Sequence, residues 1–140
     1  MFVIDSSIFS SIIVKDEFYG GAEKFLMENY MLENITVDLA YVEVANTLWK
    51  HVYVYKRIPY RSYGELKKEI KPLISNSVAG IYKTIDVLQE ALDNAVKYGI
   101  TVYDSTYVTL ALKHNYKLAS FDQKLREKLE KQGLNIVYIP

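Results

Sequence analysis

The sequence contains no cysteine, which excludes disulfide bonds, thiolate zinc sites and cysteine nucleophiles. Histidine occurs only at His51 and His114, and we expect both to be packing or surface residues. Any metal ion would therefore be bound mainly by oxygen atoms. Oxygen ligands favour Mg²⁺ or Mn²⁺ over zinc.

Long hydrophobic runs and an excess of charge are also missing. No apolar segment approaches the roughly 18 residues of a membrane-spanning helix. Residues Met1 to Asp5 lack the basic and long apolar regions of a secretory signal, so we expect a cytoplasmic protein that makes no membrane contact. Lys plus Arg equals Asp plus Glu at 17 each, so any nucleic-acid contact must depend on a local patch.

The composition is that of a folded globular protein, because half of the 140 residues are hydrophobic and 24% are charged. This length predicts a single domain over residues 1–140. Short apolar or β-rich runs alternate with stretches of helical periodicity. Such alternation predicts a parallel sheet covered by helices on both faces. The predicted strands are Phe2–Ile4, Ile35–Val37, Thr101–Tyr103, Lys117–Ser120 and Asn135–Ile139.

Three predicted helices fill the middle of the chain. The first runs from about Leu39 to Tyr55, with an apolar stripe that would face the core and contains Val42, Ala45, Trp49 and Val52. The second runs from Tyr63 toward Ser77, where Pro72 favours a kink or a split near Lys71. The third follows a possible N-cap at Asp86 and stops at Gly99.

Four acidic residues, Asp5, Glu43, Asp104 and Asp122, each follow an apolar or β-rich stretch, at or just inside a predicted helix start. The strand ends of an open parallel sheet converge on one edge, so these carboxylates would meet in one cleft. Two such charges about 4 Å apart repel by roughly 4 kcal/mol at an effective dielectric near 20. A divalent cation would relieve this repulsion, so the sequence predicts a metal site.

Simpler roles remain open for several acids. Asp122 and Asp104 could cap the helices that follow them. Asp38 directly follows the second strand and competes with Glu43, although an N-cap role suits it better. Glu43 has apolar neighbours about one turn inside its helix, where an unpaired carboxylate is costly to bury. We therefore expect a cation or a basic partner beside Glu43.

The segments around these acids resemble the signature segments of PIN-domain ribonucleases. The size and spacing are closest to the VapC-type toxins of toxin–antitoxin pairs. The resemblance covers nearly the whole chain in the right order and is weakest between about Tyr53 and Thr84. The four segments are Phe2–Ser7, Tyr41–Asn46, Tyr103–Ala111 and Leu118–Leu125.

The resemblance implies a three-layer α/β/α sandwich with a central parallel sheet and a Mg²⁺ or Mn²⁺ site. By position, the catalytic and metal-binding residues would be Asp5, Glu43, Asp104 and Asp122. Supporting polar residues would be Ser6 or Ser7, Asn46 and Ser120. Ser105 replaces a frequent Ala and Ser120 a frequent Thr, and neither change removes an acid.

Residues 50–68 combine tyrosines with basic side chains, namely Tyr53, Tyr55, Tyr60 and Tyr63 among Lys50, Lys56, Arg57, Arg61, Lys67 and Lys68. Aromatic and basic residues together can stack bases and hold phosphates. Tyr and Arg are also enriched at protein interfaces. This region could therefore contact RNA, a second copy of the chain or an antitoxin.

The acidic cluster and the resemblance together imply a metal-dependent endoribonuclease, the toxin of a toxin–antitoxin pair, which acts as a homodimer. A bound cation would activate water and polarise the phosphoryl group. Preference for RNA rests on the resemblance alone. One rival is an α/β phosphatase with Asp5 as nucleophile, although Ser7 stands where its second acid belongs. The other is an inactive module that binds RNA or protein.

Overall fold

The computed structural model describes residues 1–140, which form five short strands and seven α-helices. The strands are β1 (Phe2–Ile4), β2 (Ile35–Val37), β3 (Gly80–Tyr82), β4 (Lys117–Ala119) and β5 (Val137–Tyr138). The helices are α1 (Ser6–Val14), α2 (Tyr19–Asn29), α3 (Leu39–Trp49), α4 (Tyr60–Ser77), α5 (Thr84–Tyr98), α6 (Val102–His114) and α7 (Gln123–Glu130). A π-helical turn, Lys50–Val54, directly extends α3.

The strands form one parallel sheet in the order β3-β2-β1-β4-β5. The central strand is β1, in which Val3 lies opposite Ile35 on one side and Leu118 on the other. Both Val3 and Ile4 are fully buried although they point to opposite faces. Both faces of the sheet are therefore covered, as the sequence predicted.

The helices form two packed groups. In one group α1 contacts α2, α3 and α4. In the other, α5 packs on α6, and α6 lies against β1, β2 and β4. Residues from Val3 to Val137 share one hydrophobic core. This arrangement confirms the predicted α/β/α sandwich with a central parallel sheet.

Two strand predictions need correction. Strand β3 is absent from the sequence prediction, because its three residues, Gly80, Ile81 and Tyr82, include a glycine and form no clear apolar run. Conversely, Thr101–Tyr103 is not a strand, since Thr101 is the extended N-cap of α6 and the helix starts at Val102. The Thr101 side chain accepts a hydrogen bond from the backbone N–H of Asp104, so local capping outweighs the β propensity of this run.

The predicted buried stripe of α3 is also wrong. Val42 is 67% exposed and Trp49 is 50% exposed, whereas Val44 and Leu48 face the core. Helix α4 begins at Tyr60 and runs without a break through Pro72 to Ser77, so the predicted split is absent. The backbone conformation at Gly99, with φ of 65°, ends α5 as predicted.

The helices are short or carry charged side chains. The longest helix, α4, has 18 residues but many charged side chains. None of the helices has the length and apolar character needed to cross a membrane.

Candidate active site

Asp5 lies at the carboxyl end of the central strand and occupies the N-cap position of α1. Its Oδ2 atom accepts hydrogen bonds from Ser7 Oγ at 2.6 Å and from Ser120 Oγ at 2.7 Å. Burial raises the pKa of Asp5, and these hydrogen bonds only partly oppose the increase because they favour the ionised form. The two serines therefore fix the orientation of a carboxylate that is costly to ionise.

Glu43 lies in the second turn of α3 and has two hydroxyl donors. Tyr107 donates its O–H to Oε1 at 2.8 Å, and Ser6 donates to Oε2 at 3.2 Å. Burial raises the pKa of Glu43 to about 7, with further contributions from the charges of Asp5 and Asp104. None of the ion pairs in the structure includes Glu43, so the basic partner considered from the sequence is absent.

Asp104 lies in the first turn of α6. Thr101 accepts the backbone N–H of Asp104 at 3.1 Å and so caps the helix, and it donates its hydroxyl to Asp104 Oδ2 at 2.8 Å. Burial raises the pKa of Asp104, the charges of Asp5 and Asp122 raise it further, and Lys128 opposes them. Asp104 and Glu43 line the same cleft, which has a volume of 520 Å³.

Asp122 is exposed and caps α7, because its Oδ1 atom accepts the N–H of Leu125 at 2.8 Å. The capping role considered from the sequence is therefore present. Asp122 also lines a cavity of 190 Å³ together with Asp104 and Lys128. Capping uses one carboxylate oxygen and leaves the other free, so the two roles are compatible.

The predicted supporting residues differ in what they contact. Ser120 is fully buried, donates to Asp5 and accepts the N–H of Asp122 at 3.0 Å, so it joins two of the acids. Ser7 donates to Asp5 and accepts the N–H of Phe121 at 3.1 Å. Asn46 lies in the same cleft as Glu43 and Asp104 but forms no hydrogen bond with them.

Two hydroxyl groups of the site were not predicted. Thr101 stands three residues before Asp104, which is the spacing of a capping box and was available in the sequence. Tyr107 lies one helical turn after Asp104 and is 1% exposed. Its contact with Glu43 spans 64 positions, so only the tertiary structure reveals it.

Asp38, the acid considered as an alternative to Glu43, forms its hydrogen bonds with Thr84. It accepts the backbone N–H of Thr84 at 2.8 Å and also the Thr84 hydroxyl, so it caps the N-terminus of α5 from a distant position in the sequence. Partial burial raises the pKa of Asp38, but the hydrogen bonds from Thr84 outweigh burial and leave the pKa below its ordinary value. Asp38 forms no hydrogen bond with the four acids.

The donor set is compatible with a hydrated divalent cation. Asp5 raises the pKa values of both Glu43 and Asp104, and a cation would reverse that effect. No group of three Asp, Glu or His side chains is arranged to hold one metal ion by itself. Mg²⁺ commonly uses one or two carboxylates and completes its coordination with water and substrate phosphates. The residues present fit that mode of binding.

An apolar groove lies between the end of α3 and α4, at the region predicted as an interface. Trp49 stacks on Tyr53 with ring centroids 5.8 Å apart, and Tyr60 stacks on Tyr63 at 5.7 Å. Eight of its nine lining residues are hydrophobic, and its volume is 390 Å³. We call it the aromatic groove. It is separate from the cleft that holds the acids.

The family of the chain follows from its match to known proteins. A family model described as PIN domain matches residues 2–130. The match covers most of the chain, so this protein belongs to the PIN-domain family. The resemblance noted around Asp5, Glu43, Asp104 and Asp122 is thereby confirmed at the level of the family.

One relative and one solved structure narrow the comparison. The chain is 36% identical to ribonuclease VapC3 of Pyrobaculum aerophilum over 129 residues, which covers 90% of this chain and 92% of that protein. It also superposes on the crystal structure of PAE2754 from Pyrobaculum aerophilum with a TM-score of 0.71 and 20% identity. That match covers 99% of this chain and 89% of the other, and it shows the shared fold.

Proposed function

We propose that the protein is a divalent-metal-dependent endoribonuclease that hydrolyses RNA phosphodiester bonds as the toxin of a toxin–antitoxin pair. Membership of the PIN-domain family and the similarity to ribonuclease VapC3 support this function. The main observation in support of this function is the acidic cleft. There Asp5 raises the pKa values of Glu43 and Asp104, and no basic side chain forms an ion pair with these residues. We also propose a cytoplasmic location, where such a substrate is abundant.

In this proposal Asp5 and Asp104 hold a Mg²⁺ or Mn²⁺ ion, while Glu43 and Asp122 complete the site directly or through water. The cation would polarise the phosphoryl group and lower the pKa of bound water. Ser7 and Ser120 keep Asp5 in one orientation by donating to its Oδ2 atom. Hydrogen-bond donors that orient a metal-binding carboxylate commonly set the geometry and affinity of a metal site.

RNA cleavage in the presence and absence of metal tests the proposed activity. Purified protein is incubated with a mixed pool of structured and single-stranded RNA, with Mg²⁺, with Mn²⁺ or with EDTA. The double variant Asp5→Asn, Asp104→Asn is the inactive comparison. Asp93→Asn is the matched control, because Asp93 is exposed on α5 and forms no ion pair.

We expect metal-dependent cleavage by the wild type and by the control, and none by the double variant. Cleavage that persists in EDTA would contradict the metal mechanism. Absence of cleavage by folded, inhibitor-free wild type on every RNA would favour the inactive binding module. Release of phosphate from small phosphate esters, with Asp5 acylphosphate formation, would favour the phosphatase.

The proposed antitoxin would dock in the aromatic groove. Its lining is apolar apart from Lys67, so it suits a hydrophobic segment of a protein better than the phosphates of RNA. The exposed stacked rings of Trp49 and Tyr53 provide the rigid aromatic surface that is common at protein interfaces. Trp49→Ala should weaken binding of the protein encoded beside this chain and leave RNA cleavage unchanged.

We propose that a second copy of the chain packs on α5. Four apolar side chains of this helix are exposed at positions spaced by three and four residues, which places them on one face. A neighbouring face of α5, with Val87, Ala91 and Ala95, packs toward α6. The exposed stripe therefore needs a different partner, and its residues are Ile85, Leu88, Leu92 and Val96.

A further inference from the structure

A second cleft, with a volume of 340 Å³, adjoins the acidic site. Only two of its nine lining residues are hydrophobic, and four of the others are serines of α1. We call it the serine cleft. Its volume lies at the lower end of the range for small-molecule sites, about 300–1,000 Å³, and suits one nucleobase or nucleoside. The four serines are Ser6, Ser7, Ser10 and Ser11.

The serines form a continuous polar edge along α1. Positions i, i+1, i+4 and i+5 share a helix face and span about 7.5 Å at 1.5 Å per residue. At one end Ser7 donates to Asp5. At the other end Ser11 donates to Asp16 Oδ2 at 3.2 Å. The cleft thus leads from the proposed cleavage site to Asp16 over about the length of a nucleobase.

Ser10 gives this cleft an unused hydrogen-bonding group. Its side chain is 6% exposed, and its hydroxyl forms no hydrogen bond with the rest of the protein. The other serines of the cleft all donate to carboxylates. The Ser10 hydroxyl lines the cleft and is therefore available to form a hydrogen bond with a ligand there.

The chemistry of the lining restricts the ligand. Asp16 accepts from Phe18 N–H at 3.0 Å and from Ser11, which leaves acceptor capacity on its carboxylate. Asp16 and Asp122 together repel a phosphate. Hydroxyl groups both donate and accept, as the edge of a base does, whereas a guanidinium or ammonium group only donates. The two carboxylates therefore disfavour a phosphate, and the hydroxyl groups can pair with both the donors and the acceptors of a base.

Aromatic rings form the apolar part of the cleft. Phe18 and Phe121 stack with ring centroids 4.8 Å apart and ring planes 19° apart. Phe18 remains 44% exposed, so part of its ring is available for contact. Aromatic side chains of this kind stack on bases without regard to their identity. Stacking would hold a base here, and the polar edge would select among bases.

We propose that the serine cleft binds the nucleobase next to the cleaved bond and selects a base that donates through an amino group to Asp16. This inference rests on the proposed RNA substrate. Adenine, cytosine and guanine have an amino group, whereas uracil lacks one. A carboxylate accepts such a donor, as it does from cytosine N4. The only ring donor that uracil offers on its pairing edge is N3–H, which lies between two carbonyl oxygens that a carboxylate repels. The cleft would therefore discriminate against uracil.

Binding of single nucleosides tests the cleft without any cleavage. Adenosine, cytidine, guanosine and uridine are titrated into ¹⁵N-labelled protein in EDTA, and amide chemical shifts are recorded. We expect the first three to shift the amide signals of Ser10, Asp16 and Phe18, and uridine to bind about tenfold more weakly. Ser10→Ala should weaken binding about threefold to tenfold.

Asp16→Asn gives a sharper result, because an amide can donate to a carbonyl oxygen of uracil. We expect this variant to lose its preference against uridine, while Asp93→Asn retains it. Equal binding of all four nucleosides by the wild type would overturn the proposal. So would shifts confined to other surfaces, or tighter binding of N-acetylarginine amide than of any nucleoside in the cleft.

Cut-site sequencing tests the same selection during cleavage. We expect one fixed position beside the cut to disfavour uracil in the wild type and to accept it in Asp16→Asn. Metal-dependent RNA cleavage with identical cut sites in wild type, Asp16→Asn and Ser10→Ala would refute the cleft assignment and leave the nuclease intact. Nucleoside binding in the cleft of a protein that cleaves no RNA would support the cleft and refute the nuclease.

Discussion

Glu43 should make the metal-free protein less stable as the pH rises, and Glu43→Gln should remove this effect. The folded protein raises the pKa of Glu43 from 4.5 to about 7. Between these values the folded state binds more protons than the unfolded state, so stability falls with increasing pH. The contribution of protonated Glu43 is complete below pH 4.5 and is lost above about pH 7.

The size of the effect follows from the change in pKa. At 1.36 kcal/mol per pKa unit, the difference between 4.5 and 7 corresponds to an upper limit of about 3 kcal/mol. Glu43 is only partly buried, and solvent screening lowers the expected cost to about 1–2 kcal/mol. The amide of Glu43→Gln carries no charge and can still accept from Tyr107. The variant should therefore be more stable than the wild type above pH 7 by this amount.

Urea unfolding in EDTA, followed by circular dichroism from pH 4.5 to above pH 7, measures the difference directly. Glu33→Gln is the control, because Glu33 is exposed and forms no ion pair. The two curves for wild type and Glu43→Gln should meet at the acidic end and separate toward neutral pH. Saturating Mg²⁺ should reduce the separation, since a cation offsets the charge of Glu43. Parallel curves over the whole range would refute the reasoning.

Three further predictions follow from other contacts. Tyr107→Phe removes a hydrogen bond that lowers the pKa of Glu43. The acid limb of the pH–rate profile for RNA cleavage should therefore shift to higher pH by about one unit. An unchanged acid limb would show that this bond does not control the ionisation of Glu43. Ser120→Ala frees Asp5 from one of its donors and should weaken Mg²⁺ binding about 10–100-fold in calorimetry, whereas equal affinity would mean that Ser7 suffices. Leu92→Glu places a charge on the exposed stripe of α5, and light scattering should then report a monomer where the wild type is a dimer; a monomeric wild type would exclude that interface.

Local sequence patterns predicted the parts of the fold that depend on neighbouring residues. Phe2–Ile4 and Ile35–Val37 are short runs rich in apolar residues, which favours burial, and both are strands of the sheet. Gly99 ends α5 because it adopts a positive φ. Thr101–Tyr103 has strand-like composition, but its capping hydrogen bond starts a helix instead. Here strand propensity and helix capping compete, and composition alone did not show which of them is stronger.

Local sequence patterns did not predict which face of α3 is buried. The predicted stripe assigned Val42 and Trp49 to the core, but both face outward. The sequence offers apolar residues on more than one face of this helix. Packing against α1 and α4 selects the face with Ala40, Val44 and Leu48. The exposed face then contributes Trp49 to the aromatic groove.

By itself, the sequence determined which acids are available and that they lie near the ends of strands or the starts of helices, because composition and periodicity are properties of the chain. Tertiary structure decided what each acid contacts. Ser120 reaches Asp5 across 115 positions, and Tyr107 reaches Glu43 across 64. Hydrogen bonds and burial depend on distance in space, so the orientation and pKa of each carboxyl group are fixed only when the sheet and helices have packed.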